Sequence, residues 1–304
     1  MQTLVTGVSG YVGGELAGRL RADGHAVRGF ARDPARVRAE VDELVTGDAT
    51  TGAGLAAALD GVDVAYYLIH SMEGAAAGGF PAQERDAAAR FAEAAAAAGL
   101  RRVVYLGGIA PAGAPLSRHL GSRLAVERAL LEAVPEGFAL RASIVVGARS
   151  RSFRFLVRLI ERLPVMALPA WRENRTAPVD GRDVLEYLAR AATAPAGLAG
   201  SWDIAGPDVM TYAEMIARIS AAMLVSRPYV ELGVSLTPVA SVLAAAVTGE
   251  DPALIEPLME SLEHDLLPRD GGAPDAFGVR LHGFDAAVER ALRDWERDEE
   301  LAAR

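Results

Sequence analysis

The chain has 304 residues, room for one large or two modest domains, and its 51% hydrophobic and 23% charged content is that of a globular protein. A formal net charge of −9 argues against a nucleic-acid or anionic-membrane surface, because phosphates need a basic patch. The absence of cysteine excludes disulfides, thiolate catalysis and cysteine-ligated metals, and five scattered histidines without an H-x-x-x-H pair leave no expected metal site.

All 31 basic residues are arginine, so no mechanism that needs a lysine can operate. The N-terminus enters a strand directly, without the basic region and apolar core of a signal peptide. The most apolar window, residues 234–247, is interrupted by Pro238 and is too short for a membrane span. A cytoplasmic protein without integral membrane insertion is expected.

Gln2-Thr3-Leu4-Val5 opens the chain as a short apolar strand. Thr6-Gly7-Val8-Ser9-Gly10-Tyr11-Val12-Gly13 follows, running into a helical pattern over residues 11–21. A strand, a glycine turn and a helix N-terminus in that order form an anion site for a nucleotide pyrophosphate. Gly7 allows the tight turn, Gly10 the approach of the phosphates and Gly13 close packing of the helix. Thr6, Gly7, Ser9, Gly10, Tyr11, Val12 and Gly13 are therefore expected cofactor contacts.

β-rich runs then alternate with helical patterns. Strands are expected at residues 3–6, 26–31, 42–46, 62–69, 102–106 and 139–146, and helices at 11–23, 54–59, 81–98 and 121–132. Apolar runs without alternation indicate strands buried on both faces, hence a parallel sheet covered by helices. Gly99-Leu100 reads as the C-cap of the alanine-rich helix. Past residue 147 the rhythm changes. Helices are expected at 153–162, 184–192 (with Asp183 as N-cap), 211–223 (with Thr211 and Glu214 as a capping box), 252–264 and 284–295. The fold class is α/β, a Rossmann-type doubly wound parallel sheet over 1–147 with a smaller, partly discontinuous substrate lobe over 148–304.

The second strand ends Gly29-Phe30-Ala31-Arg32-Asp33-Pro34. At this point an acidic side chain would bind the ribose diol of NAD, and an arginine the 2′-phosphate of NADP. Asp33, standing before a proline, reads as an N-cap, so Arg32 selects NADP over NAD. Asp48 ends the third strand on the adenine side. Leu68-Ile69-His70 ends the fourth beside the nicotinamide ribose, and Leu68 and His70 are expected contacts there.

These residues resemble the short-chain dehydrogenase/reductase superfamily in its atypical or extended branch, whose T-G-x-x-G-x-x-G fingerprint is similar to Thr6, Gly7, Gly10 and Gly13. Tyr66-Tyr67-Leu68-Ile69-His70-Ser71-Met72, Val104-Tyr105-Leu106-Gly107-Gly108, His119-Leu120-Gly121-Ser122-Arg123, Leu163-Pro164-Val165-Met166 and Thr176-Ala177-Pro178-Val179 resemble an NAD(P)H-binding, NmrA-like subgroup. The resemblance covers about residues 1–220. It implies a bound dinucleotide, and in orthodox members a serine after the fifth strand and a Y-x-x-x-K pair on the next helix. The tyrosine moves the substrate proton, and the lysine lowers the tyrosine's pKa and holds the ribose.

Here Gly107-Gly108 stands where the serine would be, and His119 and Arg123 take the place of the pair. His119, Arg123 and His70 are the catalytic candidates; the alternative for the first two is a helix-start role for His119 and an i, i+4 pair of Arg123 with Glu127. Trp171-Arg172 with Arg175 is a candidate substrate clamp, Ser150-Arg151-Ser152 a candidate pocket roof, and Phe153, Phe155 and Trp202 are expected core.

The leading expectation is an NADP(H)-dependent oxidoreductase acting on a small carbonyl, quinone or imine-like acceptor. The alternatives are a non-enzymatic NADP(H)-binding redox sensor or scaffold and, less supported without the Y-x-x-x-K pair, a sugar-nucleotide epimerase or reductase. The alanine-rich helices at 81–98 and 121–132 fit a homodimer interface and ordinary packing equally well.

Overall fold

A computed structural model of the chain describes residues 1–69, 80–111, 113, 116–231, 259 and 262–301, with main chain only at 80, 81, 118, 119 and 231. The first half builds β1 (Gln2–Thr6), α1 (Tyr11–Ala22), β2 (Ala26–Ala31), β3 (Glu43–Thr46), α2 (Leu55–Leu59), β4 (Val64–Tyr67), α3 (Phe80–Ala97), β5 (Arg102–Gly108), α4 (Arg118–Ala133) and β6 (Glu136–Ala142). Next come β7 (Val145–Val146), α5 (Arg151–Arg162), β8 (Met166–Leu168), β9 (Arg175–Thr176), β10 (Val179–Asp180) and α6 (Gly181–Ala191). The chain continues through β11 (Gly200–Ile204), β12 (Met210–Thr211), α7 (Tyr212–Ala222), β13 (Tyr229–Glu231), α8 (Ala273–Phe277) and α9 (Phe284–Glu296).

Seven strands form one parallel sheet in the order β11-β6-β5-β4-β1-β2-β3. Its order reverses between β1 and β4, which opens a crevice at the carboxyl ends of those strands. On one face α1, α6 and α8 contribute Leu16, Leu20, Tyr187, Leu188 and Phe277; on the other α2, α3 and α4 contribute Leu55, Leu59, Phe91, Val126 and Leu130. Because both faces are covered, strand interiors such as Val64-Ala65-Tyr66-Tyr67 are wholly buried, and the apolar runs show no alternation. α3 and α4 pack on each other within the chain, so buried alanines such as Ala87, Ala88 and Ala95 let these helices lie close.

A second core joins α5, β8, α7 and α9 through Phe153, Val157, Ile160, Met215, Ile219, Phe284, Leu292 and Trp295. The guanidiniums of Arg154 and Arg158 lie 4.1 and 5.0 Å from the Trp295 ring centre, closing that core by cation–π contact. The two cores interleave along the chain: α6 and β11 return to the main sheet after β7 has left it. Residues on both sides of 147 thus contribute to the main sheet.

Several local expectations need correction. The run 139–146 is two strands, because the Ser143 amide donates to Ile204 O at 3.0 Å and turns the chain from β6 into β7, which pairs with β10. Helix α4 starts three residues earlier than expected, capped by the Ser117 hydroxyl, which accepts from the Leu120 amide at 3.2 Å; the helix start is thus not capped by His119. Helix α6 is capped by Asp180, which accepts from the Arg182 amide at 2.8 Å. Asp183 lies buried within α6 and instead accepts from the backbone N–H and Nδ1 of His282, at 2.8 and 2.6 Å. The capping box of Thr211 and Glu214 is present, and Gly99 adopts φ +67° after α3. The expected helix at 252–264 falls largely outside the described residues, as do the window at 234–247 and His70.

At the amino-terminal edge of the sheet, Arg102 crosses from β5 to α6. Its Nε donates to Glu136 Oε2 at 2.9 Å, and its guanidinium donates to the carbonyls of Ala191, Ala192 and Ala194 at 2.9, 2.6 and 2.8 Å. Arg101 Nε reaches the other Glu136 oxygen at 2.6 Å. A cation at the carboxyl end of α6 also complements the helix dipole.

In α1, Gly18 is exposed, and a Cβ built there meets nothing within 4 Å. Gly18→Ala is therefore expected to raise stability by about 0.5–1 kcal/mol, since a mid-helix glycine costs backbone entropy with no compensating contact here. Urea denaturation of the two proteins checks this.

Candidate functional site

The turn after β1 packs as tightly as its sequence suggests. Gly7 has φ +68°, and a Cβ there would lie 2.6 Å from Leu68 O. A Cβ on Gly13 would strike the Gly7 carbonyl, lying 2.8 Å from its carbon, so the first turn of α1 sits directly on the loop. The Gly10 amide donates to Gly7 O at 2.9 Å, and Gly10 is the N-cap of α1 without any side-chain cap. The first-turn amides thus point into the crevice with the positive end of the helix dipole behind them, a geometry that suits a pyrophosphate.

Thr6 departs from its expected role as a cofactor contact. It is fully buried; its hydroxyl donates to Tyr66 O at 3.0 Å and accepts from the Leu68 amide at 3.1 Å. It ties β1 to β4 and shapes the loop without facing the cleft.

One cleft of about 970 Å³ runs along the carboxyl edge of the sheet. Gly7, Ser9, Gly10, Tyr11, Val12, Gly13, Arg32, Asp48 and Leu68 all line it. The Asp33 carboxylate accepts from the Ala35 amide at 3.0 Å, capping the turn at Pro34–Arg36, and does not line the cleft. Arg32 is exposed and makes no ion pair or hydrogen bond among the described residues. Arg36, on the turn that Asp33 caps, lines the same end. The Asp48 carboxylate accepts from the amide and hydroxyl of Thr50, at 2.8 and 2.7 Å, and so holds its own loop at the cleft wall. The Tyr11 phenol lies against Gly147 and Gly181, where any Cβ would collide with it, and burial pushes its pKa above the usual phenol value.

Further along, Gly107, Gly108, Arg123 and Ser143 line the cleft where β5 and β6 end and α4 begins. Arg123 does not pair with Glu127. It reaches Glu84 Oε1 on α3 at 3.3 Å and donates to the carbonyl of Leu106, with its guanidinium 5.1 Å from the Tyr105 ring centre. Glu84 in turn accepts from the Ser122 hydroxyl at 2.7 Å. Glu127 belongs to Arg141, at 2.5 Å, and to Ser201, at 2.6 Å. Helical spacing alone suggested the local pair; the buried Glu84 on a neighbouring helix outcompetes it. The main chain of His119 lies one turn before Arg123 on α4, and its side chain lies outside the described residues.

The clamp expected from Trp171, Arg172 and Arg175 is not assembled. Trp171 lines the cleft, but Arg175 pairs with Asp265 at 2.7 Å on the surface and Arg172 lies 3.1 Å from Glu173. Ser150, Arg151 and Ser152 do line the cleft. Phe153 is core; Phe155 is buried and also forms cleft wall, and Trp202 is half-buried with its ring 5.6 Å from that of Phe277. Sequence reasoning missed Arg36 and Ser143. Arg36 has the signal of a second arginine in the turn after β2, whereas nothing local distinguishes Ser143.

Residues 7–133 match the family described as NAD(P)H-binding. The matched segment holds the glycine turn, Arg32 and Asp48 and runs through α4. The whole chain is 29% identical over 314 residues to the (4-alkanoyl-5-oxo-2,5-dihydrofuran-3-yl)methyl phosphate reductase of Streptomyces griseus subsp. griseus, covering 97% of this chain and 96% of that protein. It is 28% identical over 307 residues to the ceramide reductase of Caulobacter vibrioides, covering 96% and 93%. Its fold is that of a short-chain dehydrogenase/reductase superfamily protein from Agrobacterium tumefaciens with bound NAD, at a TM-score of 0.72, 20% identity and coverage of 98% and 97%. Among the described residues, no helix is long and apolar enough to cross a membrane.

Proposed function

We propose that this protein is an NADPH-dependent reductase of a small carbonyl, quinone or imine-like acceptor that works without a tyrosine–lysine pair. The observation that carries this reading is a continuous cleft joining the first turn of α1 and Arg32 at one end to Arg123 and Ser143 at the other. Both full-length relatives are named as reductases, which favours reduction as the direction.

In this reading the amides of α1 hold the pyrophosphate, and Arg32 with Arg36 neutralises a 2′-phosphate. The dinucleotide, when bound, supplies a hydride. A carbonyl acceptor takes that hydride at carbon and a proton at oxygen, giving an alcohol and the oxidised dinucleotide. Arg123 keeps its charge at any working pH and stands in the lysine position, where it favours negative charge developing on the acceptor oxygen. His119 is the candidate proton donor, with His70 second.

Titration with NADPH and NADH, followed by nicotinamide fluorescence, and a panel of quinones and activated carbonyls, followed by nicotinamide absorbance, test the reading. Turnover with NADPH supports it. Tight NADPH binding with no turnover favours the second reading, a redox sensor or scaffold, which the missing tyrosine and lysine make a real competitor. Arg32→Ala is expected to weaken NADPH by about 1–3 kcal/mol, the scale of a charged hydrogen-bond partner, and to leave NADH nearly unchanged. Tighter binding of NADH than NADPH by the unaltered protein would remove Arg32 from its assigned role.

A further inference from the structure

Past Ser143 and Arg123 the cleft continues as a second arm between α5, β8 and α7, with Phe155, Leu156, Leu159, Met166, Met215 and Ile216 among its walls. The charged residues that line the cleft are Arg32, Arg36, Asp48, Arg123, Arg149 and Arg151; from Phe155 onward the described lining has none. Helix α5 is apolar on two sides. Phe153, Val157 and Ile160 are buried in the second core, while Leu156, Leu159 and, at the helix C-cap, Leu163 pack against its margin, line the arm and are only half-buried. A helix that already buries one apolar face gains nothing from a second, half-wet one unless something covers it.

The arm is also bordered by a buried polar group without a partner. Trp171 and Tyr212 both line it, their rings 5.9 Å apart and edge to face. Each residue is more than nine-tenths buried; the Tyr212 hydroxyl lies against Thr176, whereas the Trp171 indole N–H has no hydrogen-bond partner among the described residues. Buried polar groups are normally satisfied, so an orphan beside a ligand-sized arm marks a place where the partner arrives with the ligand.

From this juxtaposition we infer that the arm receives an unbranched alkyl chain, and that the acceptor is an amphiphile whose carbonyl end lies toward Arg123 and Ser143. Flexible Leu and Met walls adapt to a flexible chain better than to one rigid plane. The indole N–H serves a hydrogen-bonding ester, amide or lactone oxygen on the same molecule. The kinetic part of the test rests on the reductase reading; the binding part does not.

For binding, the full-length protein loaded with NADP⁺ is titrated with 11-bromoundecan-1-ol, whose bromine quenches nearby tryptophan. Saturable quenching is expected, absent with 3-bromopropan-1-ol at the same concentrations and absent in Trp171→Phe. For turnover, methyl 3-oxoalkanoates of increasing chain length are compared with NADPH. The value of kcat/KM is expected to rise by about fourfold per methylene over the first several, the transfer of one CH₂ out of water. Leu159→Arg, which places a charge on the half-exposed wall, is expected to flatten that series.

A flat series with turnover of the shortest ester and no quenching would overturn the chain site and leave the reductase reading standing. Saturable, Trp171-dependent quenching without turnover of any ester would keep the chain site and sink the reductase reading. Turnover of flat quinones, with neither chain-length dependence nor quenching, assigns the arm to a rigid aromatic acceptor and overturns the inference. Quenching that persists in Trp171→Phe places the chain elsewhere and overturns it as well.

Discussion

Arg102→Met lowers the unfolding free energy by about 3–5 kcal/mol, roughly 5–8 °C in Tm for a chain of this length, and leaves NADPH affinity of the folded protein unchanged. That is the expected result because Arg102 is a hub at the edge of the sheet opposite the cleft. Its removal deprives the buried Glu136 carboxylate of one of its two cationic partners and the carbonyls of Ala191, Ala192 and Ala194 of a donor. Methionine preserves much of the aliphatic volume over Phe138, whose ring centre lies 5.0 Å from the guanidinium, so packing loss is small against the lost charge pairing.

The pH dependence has a definite sign. Hydrogen bonding from Arg102, against burial and together with Arg101, holds the Glu136 carboxyl below its ordinary value of 4.5. A group whose folded pKa is depressed contributes stability that is present above its unfolded pKa and is lost as pH falls through the folded one. The gap between wild type and Arg102→Met is therefore full near neutrality and narrows as pH falls below about 4.5. Urea denaturation across that range checks both the size and the direction. A variant as stable as wild type at pH 7 would show that Arg101 alone satisfies Glu136.

Gly13→Ala is expected to weaken dinucleotide binding on the order of 100-fold, the effect of displacing a binding backbone by a fraction of an ångström to one ångström. The added Cβ would collide with the Gly7 carbonyl and come within 3.1 Å of Val8 Cα, and its three nearest atoms are all backbone. No side chain can rotate away, so the loop must move off the helix and its amides lose their common aim. Stability falls as well, by about 1–3 kcal/mol, as for other overpacked sites. Gly10→Ala is the informative contrast, since its Cβ meets only Gly7 O, at 3.2 Å, and a small local adjustment accommodates it. Nicotinamide fluorescence titrations of both variants measure the difference, and equal affinities would show that the turn is looser than its packing indicates.

The glycine turn, the buried parallel strands and the arginine after β2 were legible in the sequence because each depends on a few neighbouring residues. Gly7 and Gly13 are required by contacts within the turn or with the strand end beside it, and Asp33 caps a turn two residues away. Elements whose identity depends on distant partners were harder. Asp183 looks like an N-cap from its spacing, yet its carboxylate is held by His282, ninety-nine residues later. Arg123 and Glu127 have the spacing of a helical pair, but each is drawn to a buried opposite charge on another element, Glu84 and Arg141 respectively.

Dinucleotide binding could thus be read from local chemistry, because an anion site at a helix N-terminus is assembled from one short segment of backbone. The shape of the acceptor site could not. Its walls come from α5, β8 and α7, and the same leucine pattern in α5 serves a core on one side and a cleft on the other. Only the folded packing decides which apolar side chains are covered by protein and which remain for a ligand, since burial depends on what lies opposite a residue and not on what precedes it in the chain.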